Sequence, residues 1–211
     1  FFNGLMRTSP VNASVIMTTT PIIVFILSLF ILKEKPNSIK ILGLIIGAAG
    51  SIIFTLQASS GGDSSLIGDL FIFINATSYS LYLVLVKPLM AKYKPLTVIT
   101  WVFTFGFIYV FPFGITQFTH IEWSIFTPTI WAEFAFVIIF TTFFAYLLNI
   151  YGLKKLNPST VSTYIYLQPL LAAGFAIWSG KDSLDWIKII AALLIFSGVY
   201  LVSKSKSLKS Q

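Results

Sequence analysis

The sequence predicts an all-α integral membrane protein, and three observations lead to that fold class. Hydrophobic residues make up 56% of the 211 residues, and only 10% are charged. The mean hydropathy is +0.89, and the charged residues cluster between long apolar runs. A soluble domain cannot hide that much apolar surface, whereas apolar runs of about 20 residues are long enough to cross a bilayer. We therefore expect a multi-helix bundle of membrane-spanning helices.

Seven apolar runs approach the length of a membrane span. They predict seven helices, numbered in chain order: α1 (11–32), α2 (39–56), α3 (66–89), α4 (96–118), α5 (130–153), α6 (159–178) and α7 (186–202). The intervening segments, such as "KEKPNS", "SSGGDSS" and "KKLNPS", are rich in Pro, Gly, Ser and charge, which is typical of turns. The opening "FFNGLMRTSP" predicts the end of an eighth helix.

An internal repeat relates the two ends of the chain. The pairs that coincide at one offset are Pro10/Pro158, Pro21/Pro169, Gly50/Gly198, Lys33/Lys181 and Lys40/Lys188. For both proline pairs that offset is 148 (158 − 10 and 169 − 21). Helices α1 and α2 are therefore duplicated as α6 and α7. If the second unit runs from α3 to α7, each unit has five helices, ten are expected in all, and about 80 residues would precede the present first residue.

The repeat also predicts domains and orientation. Residues 1–57 would be the C-terminal part of a first repeat, 66–203 a complete second repeat, and 204–211 a basic cytoplasmic tail. An odd number of helices per unit makes the two copies face opposite sides of the membrane, as inverted repeats do. With the C-terminus inside, eleven basic residues lie in cytoplasmic segments and three in outer ones, among them Arg7. We expect a multi-pass protein of the plasma (cytoplasmic) membrane with a cytoplasmic C-terminus.

Polar side chains inside the spans predict the substrate-binding surface, because each needs a partner in protein or water. Most of them recur at helical spacing. The predicted lining comprises Asn75, Tyr79 and Tyr82 on α3, Thr142, Tyr146 and Asn149 on α5, Tyr166 and Gln168 on α6, and Thr20 on α1. Contacts between helices are the structural alternative. Since no ionisable side chain lies near a predicted midplane, the lining suits a neutral or zwitterionic solute.

Two prolines lie near the middle of α1 and α6, where proline removes a backbone donor. Pro21 and Pro169 leave the carbonyls four residues earlier, those of Met17 and Ile165, without their helical N–H. Because the two prolines recur at matching positions, we predict that they are hinges and that the solute pathway runs between these two helices. Kinks that the bundle merely tolerates are the alternative.

Two further features predict helix packing and connector structure. Gly43, Gly47 and Gly50 of "GLIIGAAG" have GxxxG-type spacing, which lets helix backbones approach closely. Packing within the bundle is expected, and a dimer contact is the alternative. Glu34 and Asp182 are expected to hold connectors through adjacent lysines, with gating as the alternative.

Three stretches carry a family resemblance: "SVIMTTTPIIVFILSLFILKEKPNSIKILGLIIGAAGSIIF", "GDLFIFINATSYSLYLVLVKPL" and "VSTYIYLQPLLAAGFAIWSGKDSLDWIKIIAALLIFSGVYLV". The chain resembles the drug/metabolite transporter superfamily, in particular its EamA-type members. The resemblance implies ten helices around a central cavity, cytoplasmic termini, and movement of small metabolites, often amino acids or their relatives, frequently outward. The sequence departs from the family at "GKDS", where an aspartate stands in place of the usual glutamate.

The predicted function is a secondary carrier, and specifically an exporter, of small neutral or zwitterionic metabolites by alternating access of two inverted repeats. The expected partners are a small-molecule solute, the lipid bilayer and a second copy in a homodimer, but not nucleic acid, because the basic residues lie at helix ends. No catalytic residue, metal site or cofactor is expected, since the chain has no cysteine and one histidine, His120. A membrane binding or assembly protein without transport is the main alternative. A membrane-embedded enzyme that uses His120 and Glu122 is a weaker one.

Overall fold

The computed structural model describes residues 1–57, 65–180 and 184–205. Within these ranges the chain is almost entirely helical and contains no strand, and seven helices are long and apolar enough to cross a membrane. They are α1 (Pro10–Ile31), α2 (Ser38–Gln57), α3 (Leu66–Lys92), α4 (Pro95–Thr119), α5 (Pro128–Lys155), α6 (Pro158–Trp178) and α7 (Trp186–Lys204). The predicted all-α membrane fold with seven spans is confirmed.

Several spans are interrupted. α1 consists of Pro10–Met17 and Thr20–Ile31, and α3 of Leu66–Val86 and the short Leu89–Lys92. α5 contains a π-helical stretch, Val137–Phe144, between Pro128–Phe136 and Ala145–Lys155. α6 contains a 3₁₀ turn, Tyr164–Leu167, between Pro158–Thr163 and Gln168–Trp178. Two small elements lie outside the spans: a helical turn, Phe2–Leu5, and a 3₁₀ turn, Trp123–Ile125.

The chain forms two compact units, Phe1–Val86 with Leu156–Gln211, and Lys87–Lys155. The first unit contains α1, α2, the long part of α3, α6 and α7. Matching segments of the repeat pack in matching ways there: the first segment of α1 contacts α2, and the first segment of α6 contacts α7. The first segment of α6 also packs against the second segment of α1. The two proline-bearing helices are therefore neighbours.

The closest packing in the first unit joins α2 to α7. A Cβ placed on Gly43 would lie 2.9 Å from the Gly198 carbonyl oxygen, and one on Gly50 would lie 2.9 Å from the Ala191 carbonyl oxygen. A Cβ on Gly198 would lie 2.5 Å from the Gly47 nitrogen. Glycine permits this approach, and close van der Waals contact is a main attraction between helices where lipid weakens the hydrophobic effect. The predicted role of these glycines in packing within the bundle is confirmed.

These contacts also fix the relative direction of the two helices. Gly43 faces Gly198 and Val202, whereas Gly50, further along α2, faces Ala191 and Leu194, earlier on α7. The two helices are therefore antiparallel. Because α2 and α7 occupy matching positions in the internal repeat, the two copies run in opposite directions, as an inverted repeat requires.

The second unit is built from α4 and α5. The last segment of α5 packs against α4 and against Leu89–Lys92, and the Lys87 ammonium donates to the Leu153 carbonyl oxygen at 2.7 Å. That bond satisfies a carbonyl in the last turn of α5 and places positive charge at the negative end of its dipole. Many large apolar side chains of α4 are exposed, Phe113 by 82%. Lipid chains would solvate such side chains without a hydrophobic cost.

The connector between α1 and α2 is held by an ion pair. The Lys40 ammonium lies 2.9 Å from a Glu34 carboxylate oxygen, and both side chains are largely shielded from solvent. The ammonium also lies over the Phe25 ring, 5.7 Å from its centroid. Glu34 therefore holds its connector through a lysine, but the prediction of an adjacent lysine is wrong, because the partner is Lys40, six positions away on α2. Asp182 lies outside the described residues.

Candidate functional site

The break in α1 explains how a proline is accommodated in a membrane span. The helix stops after Met17 and restarts at Thr20, so Pro21 lies in the first turn of the second segment, where a missing N–H costs little. The hydroxyl of Thr18 donates to the Val15 carbonyl oxygen at 2.6 Å, and that of Thr19 to the Ile16 carbonyl oxygen at 2.7 Å. Side-chain hydroxyls thus pair with carbonyls at the end of the first segment.

The matching break in α6 uses a different device. Residues Tyr164–Leu167 form a tighter 3₁₀ turn, and Pro169 lies in the first turn of the segment that follows. The Gln168 N–H donates to the Ile165 carbonyl oxygen. The prediction that Ile165 lacks a backbone donor is therefore wrong, because the 3₁₀ turn supplies one from three residues ahead instead of four.

A cavity of about 320 Å³ lies between the two broken helices. Ten of its lining residues come from α1, α2 and α6, and Phe1 and Leu5 close it from the chain before α1. The lining from the three helices is Pro10, Ala13, Ser14, Met17, Thr18, Ser51, Ile165, Gln168, Pro169 and Ala172. None of these side chains is charged. The cavity is mostly apolar, with a few hydroxyls and one amide.

Ser51, which is not among the residues predicted to line the pathway, lies at this cavity. Ser51 is 1% exposed, and within the described part of the chain its hydroxyl has no hydrogen-bond partner. Ser51 lies on α2, one turn after Gly47. Its side chain reaches the cavity because α2 packs closely at its glycines. A hydroxyl one turn from a GxxxG glycine is a signal that could have identified it.

The predicted residues of α1 and α6 separate into two groups. Gln168 and Pro169 line the cavity. Thr20 and Tyr166 are both fully buried, and within the described residues neither hydroxyl has a partner. The Tyr166 ring packs into the core formed with α2 and α7, and a Cβ on Gly47 would lie 2.6 Å from it. Tyr166 therefore fills the space that a glycine leaves, and it is absent from the cavity lining.

The predicted residues of α3 lie elsewhere in the first unit. Asn75 lines a second cavity of about 430 Å³ together with Ser78 and Arg7. The rings of Tyr79 and Tyr82 stack with centroids 6.0 Å apart. The Ser80 hydroxyl, on the neighbouring face, donates to the Ala76 carbonyl oxygen of its own helix at 2.7 Å and lies 3.3 Å from the Thr20 carbonyl oxygen, so α3 approaches α1 closely there.

The predicted residues of α5 belong to the second unit. The Thr142 hydroxyl donates to the Val137 carbonyl oxygen at 3.1 Å, inside the π-helical stretch. The Tyr146 ring lies 5.7 Å from the Phe103 ring of α4, and Asn149 is half-buried. Thr142, Tyr146 and Asn149 would share one face if the whole segment were α-helical. Because a π-helix turns less per residue than an α-helix, Thr142 does not keep that α-helical relation to the other two.

Comparison with known proteins is consistent with this architecture. A solved crystal structure covers 96% of this chain and 70% of its own length with a TM-score of 0.79 at 18% identity, which shows a shared fold. An uncharacterized transporter of Archaeoglobus fulgidus is 26% identical across 96% of this chain and 70% of that protein. Two Bacillus subtilis relatives, the uncharacterized transporters YyaM and YetK, are 28% and 23% identical. This chain spans 67% of YyaM and 61% of YetK.

The model of the EamA-like transporter family matches residues 1–56 and 66–204, which together make up nearly all of the chain. The two matched segments contain the duplicated helix pairs, α1 with α2 and α6 with α7. With its seven apolar spans and its antiparallel repeat, the chain belongs to the EamA-like transporter family.

Proposed function

We propose that this protein is a secondary carrier that exports small neutral or zwitterionic metabolites, such as amino acids or related compounds. The observation that carries the proposal is the cavity between α1 and α6, whose lining offers hydroxyls and an amide but no charged side chain. A solute with a net charge would lose hydration there without gaining a counter-charge. This chain spans 61% to 70% of the length of the three relatives. The transport activity of the whole protein is therefore also proposed.

Alternating access of two inverted repeats is the mechanism that we propose. Residues 1–57 are the C-terminal part of the first repeat, 66–203 are the complete second repeat and 204–211 are a basic tail, and Pro21 and Pro169 are the hinges. The matched breaks in α1 and α6 support it, since each lets the two halves of a helix tilt independently while the broken ends keep their hydrogen bonds. Gln168 of α6 and the predicted lining of α3 and α5 stay part of the proposed pathway, whereas Tyr166 packs in the core.

A counterflow experiment tests the transport proposal. Liposomes that contain the protein, expressed from its complete natural gene, are loaded with unlabelled leucine, threonine or phenylalanine, and the uptake of the same labelled amino acid is measured. Lysine and glutamate are the charged comparators. We expect at least one neutral amino acid to exchange well above protein-free liposomes, and lysine and glutamate to exchange no faster than background. Specific binding of neutral solutes without any exchange would instead support a membrane binding protein.

The proposed cytoplasmic C-terminus predicts a labelling pattern. Single cysteines at Ser205 and Ser124 are convenient because the natural chain contains no cysteine. On intact cells, an impermeant thiol reagent should label the cysteine at position 124, in the connector between α4 and α5, and should leave that at position 205 unmodified. The excess of lysines at the proposed inner ends is the reason. Labelling at 205 but not at 124 would reverse the orientation, and permeabilised cells control for access.

A further inference from the structure

The second cavity, of about 430 Å³, has two chemically different parts. Its polar side chains are Asn3, Arg7, Asn75 and Ser78, and its apolar ones are Phe1, Phe71 and Ile74. Arg7 is the one charged side chain in this lining. Phe1 also lines the cavity between α1 and α6, so the two cavities adjoin at that residue.

The backbone at Arg7 is fixed against the start of α3. The Ser65 N–H donates to the Arg7 carbonyl oxygen at 2.9 Å, and the Arg7 N–H donates to the Gly4 carbonyl oxygen at 2.9 Å. A Cβ on Gly68 would lie 2.7 Å from the Arg7 carbonyl oxygen, so a larger residue there would push the two segments apart. The base of the arginine is thus positioned before any ligand binds, while its side chain remains exposed.

Within the described part of the chain, the Arg7 guanidinium is available for a ligand. Among the described residues, Arg7 forms no side-chain hydrogen bond or ion pair. Asp69, one turn into α3, accepts a hydrogen bond from the Thr8 hydroxyl instead. A guanidinium presents five N–H donors in a planar fork that matches a carboxylate in a bidentate pair. Asn75 and Ser78, one helical turn apart on α3, add an amide and a hydroxyl on the same side of that helix.

We propose that the second cavity binds a small organic carboxylate, with its carboxylate group on Arg7 and its apolar part against Phe71 and Ile74. This inference rests on the proposed function, because it identifies the carboxylate as the group by which a zwitterionic solute is recognised beside the transport cavity. Arg7 supplies the charge that the first cavity lacks. The apolar half of the second cavity favours an aromatic or branched body over a compact inorganic anion.

Ligand-dependent thermal stability tests this binding site. The protein, expressed from its complete natural gene, is purified into phosphatidylcholine nanodiscs and titrated with phenylacetate or with its neutral counterpart, phenylacetamide. Phenylacetate should raise the unfolding midpoint, and phenylacetamide should need at least a tenfold higher concentration for the same shift. Arg7→Gln should weaken phenylacetate about 10- to 100-fold, because a charge-assisted pair is lost. Arg7→Lys should retain part of the affinity, since it keeps the charge but loses the bidentate geometry.

Lys94→Gln is the matched control, since it removes an exposed positive charge at another helix end and should leave phenylacetate binding unchanged. If Arg7→Gln does not accumulate, Asn75→Ala with Ser78→Ala replaces it and should weaken binding several-fold. Equal binding of phenylacetate by the parent and Arg7→Gln overturns the proposal. The proposal is also overturned if the rise in unfolding midpoint depends on Arg7 but occurs only with inorganic phosphate or phosphatidylglycerol. If counterflow is still observed when the carboxylate site is disproved, the transport proposal stands. The site proposal and the transport proposal can therefore fail separately.

Discussion

Gly198→Leu should prevent α2 and α7 from packing and should remove most of the folded protein from the membrane. A Cβ at position 198 would already lie 2.5 Å from the Gly47 nitrogen and 2.6 Å from the Gly43 carbonyl oxygen, which are backbone atoms that cannot rotate away. Even Gly198→Ala should therefore cost about 1–3 kcal/mol of stability. Membrane abundance and the unfolding midpoint in detergent measure the effect.

Gly174→Ala and Gly106→Ala are the matched controls. Both glycines lie within helices, and a Cβ on either would have no neighbour within 4 Å. Since alanine favours a helix over glycine by about 1 kcal/mol, these two variants should be as stable as the parent or slightly more stable. If Gly198→Leu accumulates and unfolds like the parent, the close contact between α2 and α7 is not a main source of stability.

Gln168→Leu combined with Ser51→Ala should impair transport while leaving membrane abundance unchanged. Both side chains line the cavity between α1 and α6, from different helices. The loss of two solute hydrogen bonds at about 1 kcal/mol each would weaken solute binding roughly 30-fold. Initial rates of flux across a range of solute concentrations, measured with the solute that counterflow identifies, should show a raised KM. Each single change should have a smaller effect in the same direction.

Gln117→Leu is the matched control for the cavity variant. It makes the same chemical change at an exposed position of α4 and should not alter transport. Tyr146→Phe and Asn149→Ala extend the test to the predicted lining of α5, where each should lower transport if that helix borders the pathway. Normal transport by every cavity variant at equal abundance would mean that these polar groups only connect helices.

The spans and their inverted relation could be predicted because the evidence for them is local or repeated. Each apolar run has the length that a bilayer requires, and matched prolines and glycines such as Pro21 with Pro169 and Gly50 with Gly198 reveal the duplication. The structure adds that α2 and α7 are antiparallel and in contact. The glycine spacing predicted a close contact, but not which helix would occupy it.

The candidate site could be predicted only in outline. Gln168 was placed in the predicted lining and lies at the cavity between the two proline-bearing helices, whereas Tyr166, two residues earlier, packs in the core. Polar character was the criterion for both residues, and it does not distinguish a side chain that faces a cavity from one that fills the space beside a glycine. Ser51 was missed for the same reason, since its surroundings depend on how closely α2 approaches its neighbours.

The membrane class, the seven spans, the repeat and the positions of both prolines follow from the sequence alone, because hydropathy, length and residue identity are properties of the chain. Three-dimensional packing sets how each break is satisfied: the Thr18 and Thr19 hydroxyls donate to carbonyls before one break, and a 3₁₀ turn pairs the Ile165 carbonyl before the other. Packing also sets which polar groups reach a cavity. Those outcomes depend on helix rotation and on distances between segments far apart in sequence, and a small change in either moves a side chain from a cavity into the packed core.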